Sequence, residues 1–312
     1  MTYQLEEINR RAKEDPEAFV AECDADLGSR VRDAADRIEA HLSVSPIVLL
    51  SGPSGAGKTT TAKMIEDELE RRGINTHTVS MDNYFKTLNL HTCPRTPEGE
   101  IDFESPQLLD LDLLNEHFAA LSRGEEIRVP HFIFSRQRRS ANEFKRLQLG
   151  EREIAIFEGI HALNDMITEK NPGAFRLFIS AGSVTVDAEG NTVMKPEWIR
   201  LVRRAVRDNN FRSADPAYTL ELWANVMRGE TKYITPFKDK ADLKVDSSLA
   251  YEIPVLRDLA LPLFMDIPKG IERFAELQAL VPALLRHASI DQKYVRKESL
   301  LCEFIGGGIY EY

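Results

Sequence analysis

Two kinds of apolar pattern alternate along the chain. Short apolar runs occur at residues 46–51 (PIVLLS) and 154–157 (IAIF), and further strands are read at 76–81 (THTVSM), 176–180 (RLFIS) and about 242–246 (DLKVD). Runs of that length suit buried strands, and strands buried on both faces belong in a parallel sheet. Between them lie segments with apolar positions every three or four residues. Residues 58–72 place Ala62, Ile65 and Leu69 on one helical face and stop at Gly73. Residues 107–123 do the same with Leu108, Leu111, Leu114 and Phe118, and Gly124 ends them. Further helices are expected near 218–228 and across about 252–286. The fold class this order predicts is α/β, a mostly parallel sheet flanked by helices.

Residues 1–44 read as one or two helices: Asp15-Pro16-Glu17 has the form of an N-cap with proline at the first helical position, and Leu27, Val31, Ala34, Ile38 and Leu42 recur at helical spacing. Residues 88–101 carry Pro94, Pro97 and Gly99 without apolar period and read as a loop. Residues 129–134 (VPHFIF) form a short extended segment, and Arg136, Arg138, Arg139, Lys145 and Arg146 after it read as a solvated loop. Residues 184–193, centred on Glu189-Gly190-Asn191, predict a β-hairpin excursion. The expected organisation is an N-terminal helical segment (1–44), a main domain (45–290) and a C-terminal tail (291–312) whose glycines Gly306–Gly308 have no assigned role.

Composition narrows the function classes. The chain has 312 residues, 43% hydrophobic and 29% charged, enough for a substantial core. A formal charge of −10 argues against nucleic acid or an anionic membrane surface as partner. Cys23, Cys93 and Cys302 are odd in number and far apart, so neither a disulfide framework nor a zinc site is expected. No apolar run is long enough for a membrane span, and the N-terminus lacks a signal-peptide core, so a cytoplasmic location is expected.

The chemistry begins at Gly52–Thr59, GPSGAGKT, which fits G-x-x-x-x-G-K-[ST] between an apolar run and a helical one. Such a loop turns its backbone N–H groups inward on a phosphate chain, and the following helix adds its positive end. Gly52, Ser54, Gly55, Ala56, Gly57, Lys58, Thr59 and Thr60 are therefore the expected nucleotide contacts. Lys58 reaches the β- and γ-phosphates, and the Thr59 hydroxyl completes the shell of Mg²⁺.

Carboxylates follow two of the expected strands. Asp82 stands immediately after 76–81, where ligands of open α/β sheets bind, and is a candidate either for chemistry or for a helix N-cap. Glu158 ends 154–157 and is a Walker-B-like candidate for orienting Mg²⁺; His161 nearby reads as structural. Arg200, Arg203, Arg204 and Arg207 share one helical face, where their repulsion calls for a polyanionic partner. With Arg212, they suggest an arginine-bearing lid over about 200–216, the alternative being an ordinary basic surface.

The loop, Asp82-Asn83-Tyr84-Phe85, Asp102-Phe103-Glu104-Ser105-Pro106, Phe157-Glu158-Gly159-Ile160 and Arg203-Arg204-Ala205-Val206-Arg207-Asp208, in that order, resemble the phosphoribulokinase/uridine kinase family, most closely its bacterial uridine kinase-like branch. The resemblance covers about 47–257, the tail pattern Glu303-Phe304-Ile305-Gly306-Gly307 also resembles that branch, and together they imply a P-loop NTPase fold. It implies ATP as donor and Mg²⁺ held near Thr59, Asp82 and Glu158. Asp82 would take the proton of the attacking hydroxyl, Lys58, Arg203 and Arg207 would stabilise the transferring phosphoryl group, and Arg212 would contact nucleotide. Tyr84, Glu104, Phe132 and Arg139, with Asp82, would line the acceptor side.

In two places the sequence departs from that family. Asn-Phe-Asp-His-Pro is replaced by residues 102–106, with Glu104 at the ribose-binding carboxylate, and Pro-x-Tyr-Asp-Phe becomes Pro130-His131-Phe132-Ile133-Phe134. Lost polar partners change acceptor specificity strongly. The expected function is ATP- and Mg²⁺-dependent phosphorylation of a primary hydroxyl, foremost that of a pyrimidine nucleoside. The alternatives are a kinase of another hydroxylated metabolite, such as a sugar phosphate or pantothenate-like acid, and a non-catalytic nucleotide-binding regulator. A homo-oligomer is compatible with each.

Overall fold

The structure is a computed structural model that describes residues 1–270 and 274–311. The chain opens with strand β1 (Thr2–Gln4) and helices α1 (Leu5–Glu14) and α2 (Pro16–His41), then passes through β2 (Ile47–Ser51), α3 (Lys58–Arg71) and β3 (Asn75–Ser80). Two 3₁₀ turns, Met81–Tyr84 and Pro106–Leu108, precede α4 (Leu111–Ser122). The hairpin β4 (Ile127–Ile133) and β5 (Arg138–Leu147) leads to β6 (Glu153–Glu158), α5 (Asp165–Thr168) and β7 (Phe175–Ser180). A second hairpin, β8 (Val184–Val186) and β9 (Thr192–Met194), is followed by α6 (Pro196–Arg212), α7 (Pro216–Tyr233), β10 (Leu243–Asp246), α8 (Glu252–Met265), α9 (Phe274–Leu285) and α10 (Cys302–Ile305).

The central sheet has the order β10-β7-β2-β6-β3, and every neighbouring pair is parallel. Its middle strand, β2, shows why the apolar run at 46–51 is unbroken. Ile47 and Leu49 pack with Phe118 and Phe157 on one face, while Val48 and Leu50 pack with Ile38 of α2 and Ile65 of α3 on the other. Parallel strands bring their carboxyl ends to one edge, and that edge collects the phosphate loop after β2, Glu158 at the end of β6 and Asp82 just past β3.

Asp15 caps α2 as expected, its Oδ1 accepting from the Ala18 N–H at 3.0 Å. The hairpin expected at 184–193 is present, turned at Gly190 with φ 83°. It also receives β1 in parallel, a strand of three residues, too short to show alternation. The basic stretch read as a solvated loop is largely strand β5. All its residues but Leu147 keep some exposure, so no apolar alternation marked it, and its partner β4 holds it in place. The expected lid over 200–216 begins within a core helix: Leu201, Val202, Ala205 and Val206 of α6 join the cluster of α7, α8 and α9.

Candidate active site

In the loop, Gly57 adopts φ 74° and ψ 30° at the N-cap of α3, a left-handed turn that glycine enters without steric cost. A Cβ there would also lie 2.9 Å from the Leu300 side chain, so the tail is pressed against the loop. Lys58 curls back along the loop, its Nζ donating to the Pro53 carbonyl at 3.1 Å. Burial lowers its pKa, while Glu158, Glu303 and Asp82 pull it back up. Thr60 donates its hydroxyl to Glu303 at 2.6 Å.

The N-cap of the turn after β3 is Ser80. Its Oγ accepts from the Asp82 N–H at 3.4 Å, so the Asp82 carboxylate is not the cap. Ser80 stands beside Glu158 in the β3–β6 register, which brings the two strand-end carboxylates together. Asp82 reaches solvent but is walled by protein, and that surround raises its pKa against the pull of Lys58 and Arg212. Burial pushes Glu158 up to about 7, with the negative charge of Asp82 adding to the rise. A hard cation between them would relieve both. Among the described residues no three His, Cys, Asp or Glu side chains form a metal cage. Mg²⁺ needs none, since it uses one or two carboxylates together with water and phosphate oxygens. Thr59, Asp82 and Glu158 fit it in that sense.

Each arginine of α6 has found a carboxylate. Arg200 pairs with Glu230 at 2.7 Å and donates to the Ser54 carbonyl at 3.2 Å. Arg203, expected on the transferring phosphoryl group, is instead wholly buried behind the loop. It pairs with Glu252 at 2.5 Å and donates to the carbonyls of Gly55 at 3.2 Å and Ser247 at 3.0 Å. Arg204 reaches Ser54 Oγ at 3.1 Å and Asp208 at 3.2 Å; Arg207 holds Glu303 at 3.0 Å, and Arg212 holds Asp208 at 3.2 Å. The repulsion that seemed to demand a polyanion is thus answered within the fold, by Glu230, Glu252, Asp208 and Glu303.

On the acceptor side, burial pushes half-buried Glu104 up to about 7 against the pull of Arg204. Its Cβ occupies space left by Gly229 of α7, where an added Cβ would lie 2.4 Å away. Tyr84 is fully buried and its hydroxyl is engaged with His117 Nδ1 at 2.8 Å, so it supports the Asp82 turn from behind. Arg139 is a strap on the same turn, bound to Asp110 at 2.9 Å and to the Tyr84 carbonyl at 3.1 Å. Phe132 joins Phe85 and Phe134, with ring centroids 5.6 and 5.1 Å away. Together with Leu88, Phe103 and Leu108 these rings line an apolar recess of about 220 Å³. His161 is buried, and its pKa is pushed down to about 4, so it is neutral near pH 7.

The model of the phosphoribulokinase / uridine kinase family matches residues 47–253. The chain belongs to that family. The chain is 29% identical to the uridine kinase of Schizosaccharomyces pombe over 244 residues, 75% of this chain and 48% of that one, so it spans about half the yeast protein's length. It is 27% identical to the uridine kinase of Halobacterium salinarum, covering 62% of this chain and 76% of the relative. Among solved structures, D-glycerate 3-kinase from Cryptococcus neoformans is similar at 15% identity and a TM-score of 0.43, covering 66% of this chain and 88% of that one.

Around the phosphate loop the structure brings together Lys58, Thr59, Asp82, Glu158, Arg207 and Arg212, while Arg203, Tyr84 and Arg139 lie behind the surface they were expected to form. Sequence reasoning missed the placement of Arg204, Gly229 and Glu303. Arg204 carried a signal, one residue from Arg203, but only helix phase decides which of two adjacent side chains faces the loop. Gly229 and Glu303 act across about 125 and 243 residues of chain; nothing local marks Gly229, and the tail pattern around Glu303 resembles the family without telling what Glu303 touches.

Proposed function

We propose that this kinase transfers the γ-phosphoryl group of ATP to a primary hydroxyl of a small acceptor, with a pyrimidine nucleoside as the leading candidate. The observation that carries the reading is the Asp82 carboxylate. It stands at the carboxyl edge of the sheet, close enough to Lys58 to feel its charge, and is not used as a cap. In this role Asp82 accepts the proton of the attacking hydroxyl. Lys58 binds the β- and γ-phosphates, and Arg204 and Arg207, at the rim of the loop, take up charge as the phosphoryl group moves. Mg²⁺, when bound, draws charge from the phosphate oxygens; Thr59, Asp82 and Glu158 are the side chains that would hold it. Glu104 faces the acceptor as a carboxylate or a neutral acid according to pH.

The uridine kinase names of the relatives support a nucleoside acceptor. A second reading, a less polar hydroxylated metabolite, is favoured by one feature: the recess at Phe85, three residues past Asp82, is lined by phenylalanines, and the Tyr84 hydroxyl is already engaged. ADP release measured with nucleosides, sugar phosphates and pantothenate-like acids separates the two. On the best acceptor, Asp82→Asn should cut turnover by roughly 10² to 10⁴, the range of a positioned general base, with ATP binding retained. Near-normal turnover would remove Asp82 from the chemistry. ATP binding without turnover on any acceptor would favour a regulator.

A further inference from the structure

The C-terminal tail lies beyond the segment that matches the family, yet it is built into the phosphate loop. The Leu300 side chain packs where Gly57 has none, and Glu303 accepts from Thr60 and Arg207. Further on, the Tyr310 hydroxyl donates to Asp67 of α3 at 2.6 Å, and the Glu311 carbonyl accepts from Lys63. The tail therefore runs alongside α3, the helix whose first turn follows the loop.

Between this tail and the end of α6 is a cavity of about 480 Å³ with Thr59 in its lining, so it opens onto the phosphate loop. One wall carries Phe211, a phenyl ring 56% exposed in the solvent-facing last turn of α6. The facing wall is backbone: Gly306, Gly307 and Gly308 line the cavity, and while the Gly306 N–H is taken by the Cys302 carbonyl at 2.9 Å, Gly307 and Gly308 put no side chain of their own over their amides. Gly306 and Gly307 have φ of 88° and 76°, and a Cβ on Gly306 would lie 2.9 Å from Phe211 Cζ. A larger residue could not bring the tail so close to the ring.

A nucleotide held by its phosphates on Lys58 and Thr59 must direct its nucleoside end away from Asp82, where the acceptor reacts. We infer that the base and ribose of the nucleotide donor occupy this cavity, the base stacked on Phe211 with its edge against the backbone of Gly307 and Gly308. The tail is then part of the nucleotide site. This rests on the kinase reading, and the ligand class is a purine nucleoside triphosphate: a π-face for Phe211, and donors and acceptors at its rim for the glycine backbone.

The test uses the full chain with Mg²⁺ and two ligands, ATP and inorganic tripolyphosphate, which has the phosphates but no base. By calorimetry Phe211→Ala should weaken ATP roughly 5- to 100-fold, the range of one aromatic–base stack, and leave tripolyphosphate unchanged. Phe211→Trp should keep ATP affinity. Hydrogen exchange across residues 306–311 should slow with ATP and not with tripolyphosphate. Unchanged ATP affinity in Phe211→Ala, or no slowing of the tail by ATP, overturns the inference while leaving the kinase reading intact. A wild-type protein that binds neither ligand overturns both.

Discussion

Replacing Arg203 with alanine should unfold this protein more readily without acting on the transferred phosphate. Its side chain has no exposed surface and is bound to Glu252, to the Gly55 and Ser247 carbonyls and to Ser247 Oγ. Removing it leaves Glu252, 1% exposed, with the Leu249 N–H at 2.9 Å but no cation. Breaking one side of such a buried pair costs about 3–5 kcal/mol. At roughly 2–4 °C per kcal/mol for a large domain, the melting temperature should fall by about 6–20 °C. Arg203→Lys keeps the charge but lacks the planar fork that spans Glu252 and two carbonyls at once, so it should recover only part of the loss. The assay is thermal melting by circular dichroism, paired with turnover measured well below the variant's transition. A variant that melts within about 2 °C of wild type while losing on the order of 10³-fold in turnover, the scale of an arginine finger, would refute the structural assignment and return Arg203 to the phosphates.

Arg204→Ala should show the opposite profile, a small thermal shift and a large loss of turnover on the order of 10³-fold; a loss under about threefold would leave it a surface residue. Glu104→Gln tests the raised carboxyl. A carboxyl pushed up in the folded state contributes stability that is fully present below its unfolded value and lost as pH rises through about 7. The variant should therefore melt higher than wild type at pH 8 and close to it at pH 4, and equal shifts at both would contradict the raised value. Gly229→Ala should raise the acceptor's Michaelis constant more than that of ATP, because the new methyl displaces Glu104 from a distance of 2.4 Å; steady-state kinetics in both substrates decides it.

Much of this arrangement was legible because the central strands are buried on both faces, which leaves an unbroken apolar signature, and because a phosphate loop requires glycine at fixed spacing. β2 and the loop are the clearest instances. Asp82 and Glu158 were legible for a related reason, since a polar residue directly after a buried strand has reached the edge of the sheet. β5 was not, because a strand whose faces are both largely exposed has no reason to alternate. The role of Arg203 was not legible either. A row of arginines on one helix looks the same whether their carboxylates lie on a ligand or on α7, α8 and the tail, and Glu230, Glu252 and Glu303 are far away in sequence.

The pairing of those arginines divides α6 into two ranks with different tasks. Arg200 and Arg203 are 3% and 0% exposed, and their partners Glu230 and Glu252 are fixed by packing. A nucleotide could claim them only by leaving those carboxylates buried and unpaired, which is too costly to happen on each turnover. Their donors meanwhile hold the Ser54 and Gly55 carbonyls, so this rank keeps the loop in shape before any ligand arrives. Arg204, Arg207 and Arg212 are held at the rim by Asp208 and Glu303, and Arg212 is 57% exposed. Two carboxylates shared among three cations leave charge that a triphosphate can satisfy without stranding either carboxylate. The same balance bears on Lys58. Burial depresses its ammonium, and an arriving phosphate chain opposes that depression, so binding favours the charged form that catalysis needs. Preorganisation of the loop and exchangeable charge at its mouth thus come from one helix, separated by which side of each turn faces the core.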